Sequence, residues 1–336
     1  MATVDGVSRY IESPLVNAAG SINGTNKEAI LREVDELAAT AIGAITVGSF
    51  TIPRQEGNVI QYGEPVYYHD QKKGRNYNSM GLPNIGLDEA LSIAHEIARH
   101  ADVHGKPTIF SVSPTLPNEE IGGPAQQAGD LVYRFFDEVS PEFVELNVSC
   151  PNIVTEDGSR KPMLGYDPEG MEELVDTLKH KVGRPSGGLG IKVPPYLTDE
   201  HKELMPRVAN TIVESGLFSF VTTSNTIPNQ VPKTRSGEQI LSVPGGAGGM
   251  SGPGTALIGQ EQLSMWVGAV GSKLEIISTL GVNNGRELYN RLMLGAVAAG
   301  GVTFLWQSKD WKEAVTKMLT EYTDAVDEVE SGAKSS

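Results

Sequence analysis

Phe143-Val-Glu-Leu-Asn-Val-Ser-Cys-Pro-Asn152 is mostly apolar as far as Val148 and polar beyond it. Phe143, Val144, Leu146 and Val148 are strand formers, and so apolar a run fits a strand buried on both faces. Pro151 has no backbone N–H and cannot continue a ladder, so the strand stops there. Asn147 and Ser149 fall on one side of it by the period of two. Cys150, the only cysteine in the chain, follows directly. A free cysteine taken alone is more often a small buried hydrophobe than a reactive group. An apolar strand that runs out into small polar side chains and a thiol is nevertheless a candidate active site.

Working outward from this strand, eight short apolar runs recur along the 336 residues, most of them followed by a helical pattern. The expected strands are 15–19, 41–48, 108–112, 143–149, 189–193, 218–223, 276–280 and 302–306. Helices are expected over 27–40, 89–100, 125–139, 170–182, 199–216, 261–270, 285–298 and 312–329. A long polar connection separates the second strand from its helix, and residues 4–11 suggest a small hairpin closing the floor. Alternating strands and helices imply parallel strands joined by crossovers. Eight such units favour a closed (β/α)8 TIM barrel over an open doubly wound sheet. An open sheet would carry Gly-x-Gly-x-x-Gly after its first strand, which Gly20-Ser-Ile-Asn-Gly24 does not supply. No linker-like composition divides the chain, so one domain over residues 1–336 is expected.

Composition narrows the classes of function. The apolar fraction of 39% can build a large core, yet no run approaches the 18 uninterrupted apolar residues of a membrane span. The N-terminus shows no secretory pattern, and a single cysteine suits a reducing compartment, so a cytoplasmic location is expected. The net charge of −15 repels phosphate backbones and argues against nucleic-acid binding. Acidic residues near the C-terminus read as a solvated helix face, and the segment from Ser331 as a frayed end.

In a barrel of this kind the chemistry sits at the C-terminal ends of the strands. Those ends here are rich in small residues, as a flat ligand across the barrel mouth requires. Glycine, serine and threonine are also ordinary turn residues, and any one loop is explained that way. Gly245-Gly-Ala-Gly-Gly249 lies between the sixth strand and a helix, while Gly281 and Thr303 follow the seventh and eighth. Backbone amides of such turns, with a helix N-terminus, suit a phosphate.

The block Glu145–Asn152 resembles the fourth-strand segment of the dihydroorotate dehydrogenases, flavin enzymes built on a (β/α)8 barrel. Further segments share the resemblance: Asn17-Ala-Ala-Gly20, Asn78-Ser-Met-Gly-Leu-Pro-Asn84, Ile191-Lys-Val-Pro-Pro-Tyr196 and Val221-Thr-Thr-Ser-Asn-Thr226. Together they span roughly residues 14–306 and are similar to class 1, closest to class 1A. The resemblance implies FMN as cofactor and Cys150 as the base that removes a proton from dihydroorotate. It implies substrate contacts at Asn78, Met80, Gly81, Leu82, Asn147, Asn152, Asn225 and Thr226. For the cofactor it implies Ala18, Ala19, Gly20, Ser49, Asn147, Lys192 and Thr279, with Gly248, Gly249, Gly281 and Thr303 around the phosphate. It also implies a homodimer and a soluble electron acceptor such as fumarate, and it gives no metal site. The residues agree with such a ligand: a planar ring of alternating C=O and N–H groups suits asparagines, which offer both partners. Asn84 is expected instead to serve an Asx turn.

The chain departs from the family at several points. Val47 stands where class 1 carries a lysine, and Asn23 where class 2 does, leaving Lys192 as the cation near the flavin and Arg54 as a weaker substitute. Leu280 and Val302 replace customary glycines, and the loop over residues 153–160 is longer than in class 1A. The missing lysine motivates two alternatives: another dihydropyrimidine, such as dihydrouracil, as substrate, or a flavin-binding barrel that has lost catalysis.

Overall fold

The structure is a computed structural model that describes residues 6–154 and 159–334. Its strands are β1 Leu15–Asn17, β2 Ile45–Phe50, β3 Tyr67–Asp70, β4 Arg75–Asn78, β5 Thr108–Val112, β6 Phe143–Asn147, β7 Gly188–Lys192, β8 Phe220–Thr223, β9 Ile227–Gln230, β10 Gly248–Ser251, β11 Glu275–Ser278 and β12 Ala298–Gly301. Its helices are α1 Lys27–Ala38, α2 Asn58–Tyr62, α3 Leu87–Asp102, α4 Pro124–Glu138, α5 Pro168–Lys181, α6 Asp199–Ser215, α7 Ala256–Val270, α8 Gly285–Met293, α9 Thr303–Trp306 and α10 Trp311–Lys334. Eight strands pair in parallel in the order β1-β12-β11-β8-β7-β6-β5-β2. A parallel bridge between Val16 and Ala44 brings the two ends together into a barrel.

Both faces of these strands are apolar because both are covered. Val16, Ile109, Phe143, Phe220, Ile277 and Ala298 pack inside the barrel, while Val47, Phe110, Leu146, Ile191 and Val221 pack outward against the helices. β7 makes room for the aromatics: a Cβ on Gly190 would lie 2.1 Å from the Phe220 ring, and one on Gly188 2.5 Å from that of Phe143. The same inward side of β7 ends in Lys192, above those glycines by the period of two. Above the apolar plug the interior turns polar. Glu145 accepts hydrogen bonds from Ser111 at 3.0 Å and Thr222 at 2.6 Å, and Ser111 meets Ser49 at 2.9 Å.

Three expectations fail here. The hairpin over 4–11 is a single 3-10 turn, Val7–Arg9, with residues 4 and 5 outside the described ones. Val7 plugs the barrel floor and the Ser8 amide donates to Glu275 at 2.9 Å, so no strand pairing forms. The eighth strand is Ala298–Gly301, and the run from Val302 expected to form it instead turns into α9. Glycine is needed in that strand because a Cβ on Gly300 would lie 1.6 Å from the Val16 carbonyl oxygen. At the other end α10 continues through Lys334 instead of fraying at Ser331, with Ser335 and Ser336 outside the described residues. The long second connection and the glycine-rich one also carry structure. β3, β4, β10 and β9 form an antiparallel sheet in that order, a roof beside the barrel mouth.

Candidate active site at the barrel mouth

A cavity enclosing about 1220 Å³ of non-protein space, open solvent at its mouth included, lies at the C-terminal ends of the strands. The loop after β1 brings Ala18, Ala19, Gly20 and Asn23 to it, β2 brings Ser49, and the end of β4 with its loop brings Asn78, Met80, Gly81 and Leu82. The ends of β6, β7 and β8 supply Asn147, Cys150, Asn152, Lys192, Asn225 and Thr226. Thr279 and Gly281 after β11 and Thr303 after β12 close the far side.

Two expected residues lie elsewhere. Gly248 and Gly249 sit in β10 and do not line the cavity. They are glycines for closeness: a Cβ on Gly249 would lie 2.0 Å from Thr226 Oγ1, and one on Gly248 2.4 Å from the Asn78 carbonyl. Gly249 works on the amide side instead, donating to Asn152 Oδ1 at 3.2 Å and accepting from Asn78 Nδ2 at 3.4 Å. Val47 also faces away, into the helix-packing layer, so strand two offers Ser49 to the cavity whatever stands at residue 47. Arg54 is on the surface, paired with Glu56 and Glu89. Asn84 caps its own turn, accepting from the Gly86 amide at 2.9 Å.

The asparagines are oriented by donors and acceptors that leave no choice. Ser149 N–H and Oγ–H both donate to Asn147 Oδ1, at 3.1 and 2.8 Å, so its Nδ2 must donate to Ser49, at 3.0 Å. Both lone pairs of that oxygen are then used, and Asn147 has only its second N–H left for a ligand. Asn225 is the reverse: Nδ2 donates to Ser149 Oγ and O, at 3.1 and 3.2 Å, while Oδ1, accepting from Thr226 N, keeps a lone pair. Asn152 Nδ2 donates to Asn78 Oδ1 at 2.7 Å, so each of that pair retains one N–H and one lone pair. Asn58, which the sequence did not single out, braces them by donating to the Ser79 and Asn152 carbonyls at 2.8 and 3.1 Å.

Cys150 is buried on the cavity wall. Burial pushes its thiol up, while the Asn152 backbone N–H and the charges of Lys161, Lys192 and Arg160 pull it back down. The Ser149 hydroxyl beside it is committed to Asn147. Arg160 and Lys161 were not legible in advance, and residues 155–158 of their loop lie outside the described ones. Lys161 donates to the Pro114 carbonyl, and burial lowers its pKa to about 8. Arg160 Nη1 donates to the Pro151 carbonyl at 3.0 Å, and Nη2 to that of Ala247.

The remaining polar groups await a partner. Lys192 is 4% exposed and lines the cavity, and its Nζ makes no hydrogen bond among the described residues. Ser224 Oγ and Thr226 Oγ1 are likewise buried and unpaired. Two turns are shaped for anions. Gly81 and Leu82 have φ of 78° and 54°, and Gly281 follows Leu280 with φ of 94° and 59°. The amides of Met80, Gly81 and Leu82, and of Gly281 and Val282, have no acceptor among the described residues. Consecutive amides left without acceptors beside left-handed residues are the material of an anion-binding concavity. No group of three or more His, Cys, Asp or Glu among the described residues is placed to hold a metal.

A flat, multiply hydrogen-bonding redox cofactor with a phosphate fits this set of unpaired groups. The family model described as dihydroorotate dehydrogenase matches residues 1–322. The dihydroorotate dehydrogenase (fumarate) of Lachancea kluyveri is 28% identical over 294 residues, 87% of this chain and 83% of that protein. Dihydroorotate dehydrogenase A (fumarate) of Lactococcus lactis subsp. cremoris is 28% identical over 288 residues, 84% of this chain and 81% of that protein. Among solved structures, that of the Eimeria tenella enzyme with ferulenol matches with a TM-score of 0.70 at 16% identity, over 94% of this chain and 82% of that one. At that identity the likeness is one of fold.

Proposed function

Because the chain belongs to the dihydroorotate dehydrogenase family, we propose that it is a single-domain FMN enzyme that oxidises dihydroorotate to orotate. Fumarate as a soluble acceptor is proposed by analogy with the Lachancea kluyveri and Lactococcus lactis relatives, both dihydroorotate dehydrogenases (fumarate). The observation that carries it is the meeting of Cys150, four oriented asparagines and the unpaired Lys192 Nζ around one cavity.

Lys192, Ser224 and the Gly281–Val282 amides would hold FMN, the last two at its phosphate. When bound, FMN supplies the acceptor for the hydride leaving C6 of the substrate. Cys150 as thiolate takes the proton from C5, and the C5–H electron pair becomes the C5=C6 bond of orotate. Asn147 offers the ring a donor, Asn225 an acceptor, and Asn78 and Asn152 one of each, matching alternating C=O and N–H groups. The Met80–Leu82 amides suit the carboxylate, which dihydrouracil lacks, and this favours dihydroorotate over that alternative. In this reading Lys192, at the end of β7, serves the cofactor and leaves the carboxylate to these amides.

Anaerobic titration with dihydroorotate is expected to bleach the flavin absorbance stoichiometrically, with dihydrouracil at least tenfold less effective. Equal bleaching by both would reassign the substrate, and a protein that takes up no FMN would overturn the reading. Lys161→Met is expected to slow flavin reduction at pH 7 by about tenfold, because the thiolate loses one of the cations that favour it. The deficit closes at alkaline pH, where Lys161, with its pKa near 8, is already neutral in the parent. A pH series of stopped-flow traces checks this. The reading is completed by a cytoplasmic homodimer, which family resemblance supports and sedimentation would test.

A further inference from the structure

Leu280 is a left-handed residue that is not glycine, standing directly before Gly281 in the turn after β11. A branched side chain does not hold that backbone region unaided, so the surroundings must over-determine it. Arg291 does so from α8. Its guanidinium is fully buried, and all five N–H donors are used. Nη1 donates to Ser278 Oγ at 2.8 Å and the Thr279 carbonyl at 2.9 Å. Nη2 donates to the Leu280 carbonyl at 2.9 Å and to that of Ala256, in the first turn of α7, at 3.0 Å. Nε is paired with Glu287 at 2.6 Å.

Three carbonyls of the turn and its neighbour are thus taken up by Arg291, while Gly281 and Val282 line the cavity and their amides have no acceptor among the described residues. The packing admits little slack. A Cβ on Gly259 would lie 2.1 Å from the Leu280 carbonyl oxygen and 2.5 Å from the guanidinium, and one on Gly281 2.6 Å from Ala256.

We propose that Arg291 is a positioning residue for the phosphate end of the cofactor, locking the Leu280 turn so that two backbone amides face an incoming phosphate monoester. The inference rests on the FMN reading above. Lysine cannot replace it, since one ammonium does not present a planar fork to carbonyls on two elements.

Apo-protein titrated with FMN and with riboflavin, followed by flavin fluorescence, tests this because riboflavin lacks the phosphate. Arg291→Gln is expected to raise the FMN dissociation constant at least tenfold and leave that of riboflavin within twofold. Adding Leu280→Gly is expected to recover most of the loss, because glycine adopts the turn without the guanidinium. Arg291→Lys, which keeps the charge of the pair with Glu287, serves if Arg291→Gln does not fold, and is expected to fall between. Equal weakening of FMN and riboflavin, or FMN binding like the parent's, overturns the proposal. A parent protein that binds riboflavin as tightly as FMN overturns it too, and one that binds neither sinks the FMN reading with it.

Discussion

Cys150→Ser is expected to slow flavin reduction by dihydroorotate at pH 7 by about 10²- to 10⁴-fold, the contribution of a positioned general base. The substitution preserves size and the access of residue 150 to the cavity, so binding should change little. What changes is the ionisable group. Even the thiol is mostly protonated at neutral pH, because burial outweighs the Asn152 amide and the three cations. A hydroxyl in the same place ionises far less, and its rate should keep rising with pH where the parent levels off. Between pH 7 and 9 the parent should rise less steeply than a lone thiol titrating. Lys161 is charged below about pH 8 and helps the thiolate there; above it the help is lost as the thiol begins to ionise. Single-turnover reduction by the serine variant at the parental rate would remove Cys150 from the mechanism.

Much of this was legible in the sequence, and the parts that were not share a cause. Strands β5 to β8 could be read because each carries a short apolar run, and the site could be read at their ends because the small polar residues gather there. β12 could not, since Ala298-Ala-Gly-Gly301 has no strand propensity and is held extended by close backbone contact with β1. The following Val302–Trp306 has the propensity and lacks the partner. Gly248 and Gly249 looked like a phosphate loop because glycine signals close approach without saying to what; here it is Thr226 and Asn78. Val47 looked like a lost catalytic position because likeness to a motif does not show which face of a strand a residue occupies. Lys161, Arg160, Asn58 and Arg291 reach the site or its supports through tertiary contacts that no local spacing announces.

Lys192→Met is expected to lower the rate of flavin reduction by about 10²- to 10³-fold at saturating substrate, the usual loss of a preorganised donor at developing charge. The same change should leave the thermal midpoint of the apo-protein unaltered or higher. Lys192 as a residue is 4% exposed, and its ammonium, with no acceptor among the described residues, gives up part of its hydration and receives no hydrogen bond in return. Methionine follows much the same path up the barrel interior without that cost. A residue kept for the fold would behave the opposite way, because its removal would leave an acceptor stranded; here no side chain loses a partner. Function and stability should therefore move apart, as they do where a site carries unpaired charge for a ligand. Scanning calorimetry of the apo-protein beside stopped-flow reduction of the loaded one measures both. A lower midpoint with an unchanged rate would make Lys192 a structural residue and leave the cavity without its charge for reduced flavin.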